Sequence, residues 1–281
     1  MAYEEKRFKA QDGLNLYYRD YATAASSQTP VLCLSGTTQN SKVYSELADR
    51  LAGDRRVLCM DWRGHGQSEY DANWEHYTYF TDRDDVLDLL GHEKLDRVII
   101  IGTSLGGIVT MHIVLERPEA IAGVVMNDVG PVIGAAGRQR LHDNMGLPML
   151  FDTFEEAAAA MKARAEAGGT LSDTAWLERA RRVFKQKDDG KVAPDMDPIY
   201  GRVFRERKRP PDWWSSWEAM KTMPVLAVRG AISDILDEEV LAEMQRRKPD
   251  MQSVTVAGRG HCPHLDEPEA QAAIDAFLAN L

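Results

Sequence analysis

Six short, largely apolar runs punctuate this chain: PVLCLSG (30–36), RVLCMD (56–61), LDRVIIIG (95–102), AGVVMND (122–128), PVLAVRG (224–230) and MQSVTV (251–256). A strand with one face in water alternates apolar and polar residues, whereas a strand buried on both faces is apolar almost throughout. Longer amphipathic stretches separate the runs, at Lys42–Leu51, Tyr79–Leu90, Leu105–Leu115, Asp237–Arg247 and Glu267–Leu281. This alternation predicts an α/β fold in which helices flank a mostly parallel sheet. RFKA and LNLYYRDY enclose the turn signal Gln11-Asp12-Gly13 and add an antiparallel hairpin, which brings the expected sheet to eight strands.

The alternation breaks once. From about Gly130 to Thr222 no strand is expected, and segments such as FEEAAAAMKARAEA have helical spacing. We therefore expect a core of residues 1–130 and 222–281, with 131–221 inserted as a helical cap. At 281 residues the chain is long enough to bury a core without disulfides or a metal. Its net charge of −10 argues against a nucleic-acid partner. No apolar run reaches the roughly 18 residues of a membrane span, and MAYEEKRFKA has no secretory h-region, so a cytoplasmic location is the expectation. Cys33, Cys59 and Cys262 cannot all pair within one chain, and the first two lie in strand-like runs, which suits reduced core thiols.

VIIIGTSLGGIV places Gly102-Thr103-Ser104-Leu105-Gly106 between a strand and a helix. The pentad G-x-S-x-G alone is weak, since chance supplies it in roughly one chain in ten of this length. Its setting is stronger. A sharp strand-to-helix turn needs small residues two before and two after the serine, and it raises the hydroxyl at a helix N-terminus. The bland reading of Ser104 is a helix cap.

A serine needs a base, and the base needs an orienting group. His261 follows the last expected strand in the Gly-rich loop VAGRGHCPHLDEPE, at the sheet edge where loops converge on sites in open α/β folds. His264 competes with it, and His261-Cys262-Pro263-His264 has the look of a metal cluster, but no second ligand cluster accompanies it in sequence, so neither metal nor cofactor is expected. Asp234, in RGAISDIL after the strand at 224–229, is the expected acid. Asp128, ending AGVVMND, is the alternative. Asp266 and Glu267 read as helix-start residues. Acyl transfer further requires donors for an oxyanion, for which the backbone N–H groups of Leu105 and Thr37, in LSGTTQN, are the candidates.

With LSGTTQ, DWRGHGQS (61–68), GTSLGG (102–107), NDVGP (127–131), RGAISDIL (229–236) and GRGHCPHLDEPE (258–269), the chain resembles the α/β-hydrolase superfamily over almost its whole length. It looks most like small bacterial esterases, enol-lactonases and carbon–carbon bond hydrolases with a helical cap. That resemblance implies Ser104 as nucleophile, His261 as base, Asp234 as acid and Thr37 with Leu105 at the oxyanion. It also implies cleavage of an ester, lactone or activated ketone through an acyl-enzyme. Another reaction on the same triad, or a non-catalytic ligand receptor, is the alternative. One departure is Ser35-Gly36, where the family usually has His-Gly. The expected partner is a small-molecule substrate, with the chain a monomer or homodimer. Trp213, Trp214, Trp217 and Met145 are candidates for an apolar acyl pocket, although their spacing favours simple packing of the cap's return onto the core.

Overall fold

A computed structural model describes residues 3–22, 26–145, 147, 149–164, 171–206 and 212–281. Eight strands form one sheet: β1 (Glu4–Lys9), β2 (Asn15–Tyr21), β3 (Val31–Leu34), β4 (Val57–Met60), β5 (Val98–Thr103), β6 (Ile121–Asn127), then β9 (Val225–Gly230) and β10 (Gln252–Val256) after an insertion. Their spatial order is β1-β2-β4-β3-β5-β6-β9-β10. The β1–β2 and β2–β4 pairs are antiparallel, and every later pair is parallel. This is the α/β-hydrolase fold expected above.

Strand alternation assigns the two faces. Leu32, Leu34, Leu58, Met60, Ile100 and Val124 pack beneath helices α2 (Tyr79–His92) and α3 (Leu105–Glu116). Val31, Cys33, Val57, Cys59, Ile99 and Ile101 face the opposite way, toward α1 (Ser45–Leu51) and the C-terminal helix, Pro268–Leu278. Both faces are covered, which is why the strands are apolar without interruption. Cys33 and Cys59 are register partners on adjacent strands, and both are free and fully buried. Burial pushes the Cys59 thiol up and keeps it protonated.

Between β6 and β9 the chain leaves the sheet. This segment holds α4 (Ala135–Asn144), α5 (Phe154–Arg164), α6 (Asp173–Val183), α7 (Tyr200–Glu206) and α8 (Trp214–Ala219). It is not purely helical, as the sequence suggested: β7 (Phe184–Gln186) and β8 (Val192–Pro194) form an antiparallel hairpin, and Phe151 bridges to Val192 beside it. Three-residue strands are too short to show a period.

Polar contacts fasten the insertion to the core. Asn40 donates to the Arg182 carbonyl at 3.0 Å and to Asp195 at 3.2 Å, and Lys42 pairs with Asp195 at 2.8 Å. The backbone of DWRGHGQS joins in, since Gly66 donates to the Asp195 carbonyl and Asp197 donates to that of Gly64. After β9 come α9 (Glu238–Arg247) and, after β10, α10 (Pro268–Leu278). Among the described residues no helix is long and apolar enough to cross a membrane.

Candidate active site

β5 ends at Thr103 and α3 begins at Leu105, so the whole reversal falls on Ser104, held at φ +50°, ψ −110°. A non-glycine residue at positive φ is costly and persists only where surroundings enforce it. Here they do. A Cβ on Gly106 would lie 2.0 Å from the Leu34 carbonyl oxygen, and one on Gly102 would lie 2.8 Å from the Gly106 backbone. Glycine at both positions lets strand and helix close up, and Ser104 N–H donates to the Asn127 carbonyl at 3.1 Å. Its hydroxyl caps nothing; it meets His261 Nε2 at 3.0 Å.

The other imidazole nitrogen, Nδ1, lies 2.7 Å from Asp128 Oδ2. This overturns the expectation that Asp234 orients the histidine. Asp234 is instead gripped by Arg140, Nε and Nη2 each 2.6 Å from a carboxylate oxygen. Asp128 follows β6, the immediate neighbour of β5, and it too sits at positive φ (+54°). Its side chain is fully buried. The loop after β9 contributes donors rather than the acid: Gly230 N–H reaches Asp128 Oδ1 at 2.9 Å and Ser233 Oγ reaches Oδ2 at 2.6 Å. Three donors on one buried carboxylate fix its orientation.

The loop after β3 lies against the nucleophile, since a Cβ on Gly36 would be 3.5 Å from that of Ser104. Gln39 Oε1 accepts from Gly36 N–H, and Gln39 N–H donates to the Gly36 carbonyl, closing a tight turn. Among the described residues the N–H groups of Thr37 and Leu105 have no acceptor, which leaves both available to an oxyanion. His65 was not expected here. Its ring spans the Thr37 carbonyl at 2.7 Å and the Arg63 carbonyl at 3.0 Å. Burial lowers its pKa, and a neutral imidazole has one N–H, so it donates to one of the two carbonyls and braces the loop from behind.

A cavity of about 720 Å³ opens beside His261 and extends under the insertion. Met145, one of the acyl-pocket candidates, lines it together with Leu147 and Met149. Trp213, Trp214 and Trp217 do not. Trp213 and Trp217 are buried against the core beneath α3, and Trp214 lies under the Arg247 guanidinium. The tryptophan at the cavity is Trp176, on α6. His264 also lines the cavity; burial first, then Arg179, Arg259 and Arg182, push its pKa down to about 3, so it stays neutral.

Two groups of side chains bring donor atoms within 4.8 Å of one another: Asp12, Asp71 and His76, and His264, Asp266 and Glu267. Both already hold cationic partners. Arg63 pairs with Asp12 and Asp71, and Arg259 pairs with Glu267, which also accepts the His264 and Leu265 N–H groups.

Residues 31–274 match the model of the alpha/beta hydrolase family. The chain belongs to that family. Among its hydrolase relatives, this alpha/beta hydrolase is 32% identical over 268 residues to a 3-hydroxybutyrate-oligomer hydrolase of Cupriavidus necator, covering 92% of this chain and 90% of the other. It is 26% identical over 253 residues to a 2-(acetamidomethylene)succinate hydrolase of Mesorhizobium japonicum, covering 85% and 84%. A crystal structure of an alpha/beta hydrolase from Novosphingobium aromaticivorans superposes with a TM-score of 0.95 at 37% identity, covering both chains completely. What sequence reasoning about this hydrolase missed is Trp176, Arg179 and Ser233. None carries a motif; each matters through where its element packs.

Proposed function

We propose that this chain hydrolyses a small carboxylic ester or lactone by acyl transfer through Ser104. The observation that carries the reading is the continuous line Ser104 Oγ–His261 Nε2 (3.0 Å) and His261 Nδ1–Asp128 Oδ2 (2.7 Å), opening on a cavity. His261 takes the Ser104 proton as Oγ attacks the carbonyl carbon, and the Asp128 carboxylate holds the ring and stabilises the imidazolium. The tetrahedral oxyanion accepts from the Leu105 and Thr37 N–H groups. His261 then returns the proton to the departing alkoxide, and the same residue activates the water that releases the acid. The insertion acts as a cap that shapes the substrate's acyl or alcohol portion. Similarity to the 3-hydroxybutyrate-oligomer hydrolase supports an ester as the scissile bond.

A fluorophosphonate probe should label the protein at Ser104, and Ser104→Ala should lower turnover of 4-nitrophenyl butyrate by roughly 100,000-fold with its circular dichroism preserved. Labelling or turnover that survives this substitution would overturn the reading.

A further inference from the structure

The protein is acidic overall, yet its cavity is not. Six described lining residues are cationic (Arg140, Arg164, Arg179, Arg182, Lys187 and Arg259), against one carboxylate, Asp197. Four of the six are matched by acids: Arg140 with Asp234, Arg182 with Glu46, Lys187 with Asp189 and Arg259 with Glu267. Arg164 is exposed and touches Met149 Sδ.

Arg179 differs from all of these. It is half-buried on α6, and among the described residues it has no carboxylate or hydrogen-bond partner. Its guanidinium lies over the face of Trp176, 5.2 Å from the guanidinium carbon to the ring centroid. Burial draws its pKa below the ordinary arginine value, helped by Arg259 and opposed by Cys262 and, without direct contact, by Glu267 and Asp266. Trp176 is itself nearly buried, and its indole N–H lacks an acceptor among the described residues. An arginine taken out of water without a carboxylate bonded to it is expensive, because more distant charges compensate the desolvation only in part. Such a charge is tolerated where a ligand supplies the partner.

Resting on the acyl-transfer reading above, we propose that the substrate carries a free carboxylate in addition to the bond that is cleaved, and that Arg179 binds it. The guanidinium fork matches a carboxylate with two parallel N–H···O bonds. Among the described residues Arg179 is the one cavity cation that is both sheltered from water and unmatched, since Arg164 is exposed and the other four hold acids, and one such cation suits a singly charged anion better than a phosphate dianion. The Trp176 face orients the fork and keeps water from one side of it. The cap therefore selects by charge as well as by shape, in a protein whose outer surface carries the opposite sign.

The test uses two pairs of esters: mono(4-nitrophenyl) adipate against 4-nitrophenyl hexanoate, and 4-carboxyphenyl butyrate against 4-methylphenyl butyrate. The first pair places the carboxylate on the acyl side and the second on the leaving side. In at least one pair Arg179→Met should lower the anionic-to-neutral ratio of kcat/KM by about 10- to 100-fold, mainly through KM, with Arg179→Lys between the two. A ratio within twofold of the original in both pairs would overturn the proposal.

Binding is read separately in Ser104→Ala protein. Adipate should raise its melting temperature more than inorganic phosphate does, and adding Arg179→Met should abolish the rise. A rise that persists without Arg179 also refutes the assignment. If no ester is turned over but the Arg179-dependent rise is present, the anion site stands and the acyl-transfer reading falls.

Discussion

Asp128→Asn separates an orienting role for Asp128 from one for Asp234, and the contacts set the size of its effect. Oδ2 of Asp128 accepts from His261 and Ser233, and Oδ1 accepts from Gly230 N–H. An amide has one oxygen. If that oxygen faces His261, the NH2 group opposes the Gly230 N–H, and two buried donors confront each other at a cost of about 1–3 kcal/mol. If the amide is reversed, NH2 faces His261 Nδ1, which must then accept. The imidazole proton moves to Nε2, and the nitrogen facing Ser104 is no longer a base. We expect kcat on 4-nitrophenyl butyrate to fall by roughly 1,000- to 10,000-fold, equivalent to about 4–5.5 kcal/mol of barrier. Asp234→Asn breaks a partly exposed pair with Arg140. That pair is worth about 1 kcal/mol or less, so kcat should stay within about tenfold. Both variants are assayed at saturating substrate near pH 8, with labelling of Ser104 by a fluorophosphonate as a check. An Asp234→Asn loss equal to that of Asp128→Asn, or an Asp128→Asn loss below tenfold, would refute the reasoning.

Gly106→Ala should destabilise the fold by about 3 kcal/mol or more, because its methyl would meet a strand carbonyl 2.0 Å away; urea unfolding measures it, and a change under 1 kcal/mol would contradict the close approach. Gly91→Ala is the converse: it lies in the last turn of α2 with nothing within 4 Å of a new Cβ, and should gain about 0.5–1 kcal/mol in the same assay. His264, with its pKa pushed down to about 3, resists protonation in the folded state, while an unfolded imidazole takes a proton near pH 6.5. Its contribution to stability is therefore full above about pH 6.5 and declines as pH falls toward 3, reaching a loss of at most about 2 kcal/mol at pH 5. The fall in melting temperature between pH 7 and 5 should be shallower in His264→Gln, and an identical slope would count against it.

How much of this was legible in the sequence depends on whether a feature is local. The elbow was, because Gly102 and Gly106 answer a steric demand within five residues of Ser104. The strands were, because burial on both faces removes polar residues from a short window. The acid was not. Asp128 directly follows β6 and Asp234 lies in the loop after β9, and a linear string does not say which of the two reaches His261. Sheet order separates them: β6 is hydrogen-bonded to β5, while β9 lies one place further out. The loop after β9 still serves the site, but through Ser233 Oγ and Gly230 N–H, and a serine beside an aspartate gives no sign of which will be the acid. The tryptophans show the same limit. Trp213 and Trp217 had the spacing of a packed helix, and they pack. Trp176, with no cluster around it in sequence, lines the cavity because α6 is held against the core.

That tether links the two halves of the site. Asn40, which caps the short turn following the oxyanion loop, donates to the carbonyl of Arg182 on α6, and Lys42 in that same turn pairs with Asp195. Arg182 returns the contact by pairing with Glu46 on α1. The helix that presents Trp176 and Arg179 is thus fastened to the segment that begins with Thr37. Both ends of a bound substrate would meet groups held by one hydrogen-bonded unit: the carbonyl at Thr37 N–H and the carboxylate at Arg179. An arrangement of this kind fixes the distance between the reacting carbon and the charged end, so orientation comes from the protein's own packing and little has to be ordered on binding. It also explains why the cap is joined to the core by buried polar contacts. Apolar packing tolerates sliding, whereas Asn40, Lys42 and Asp195 accept one register.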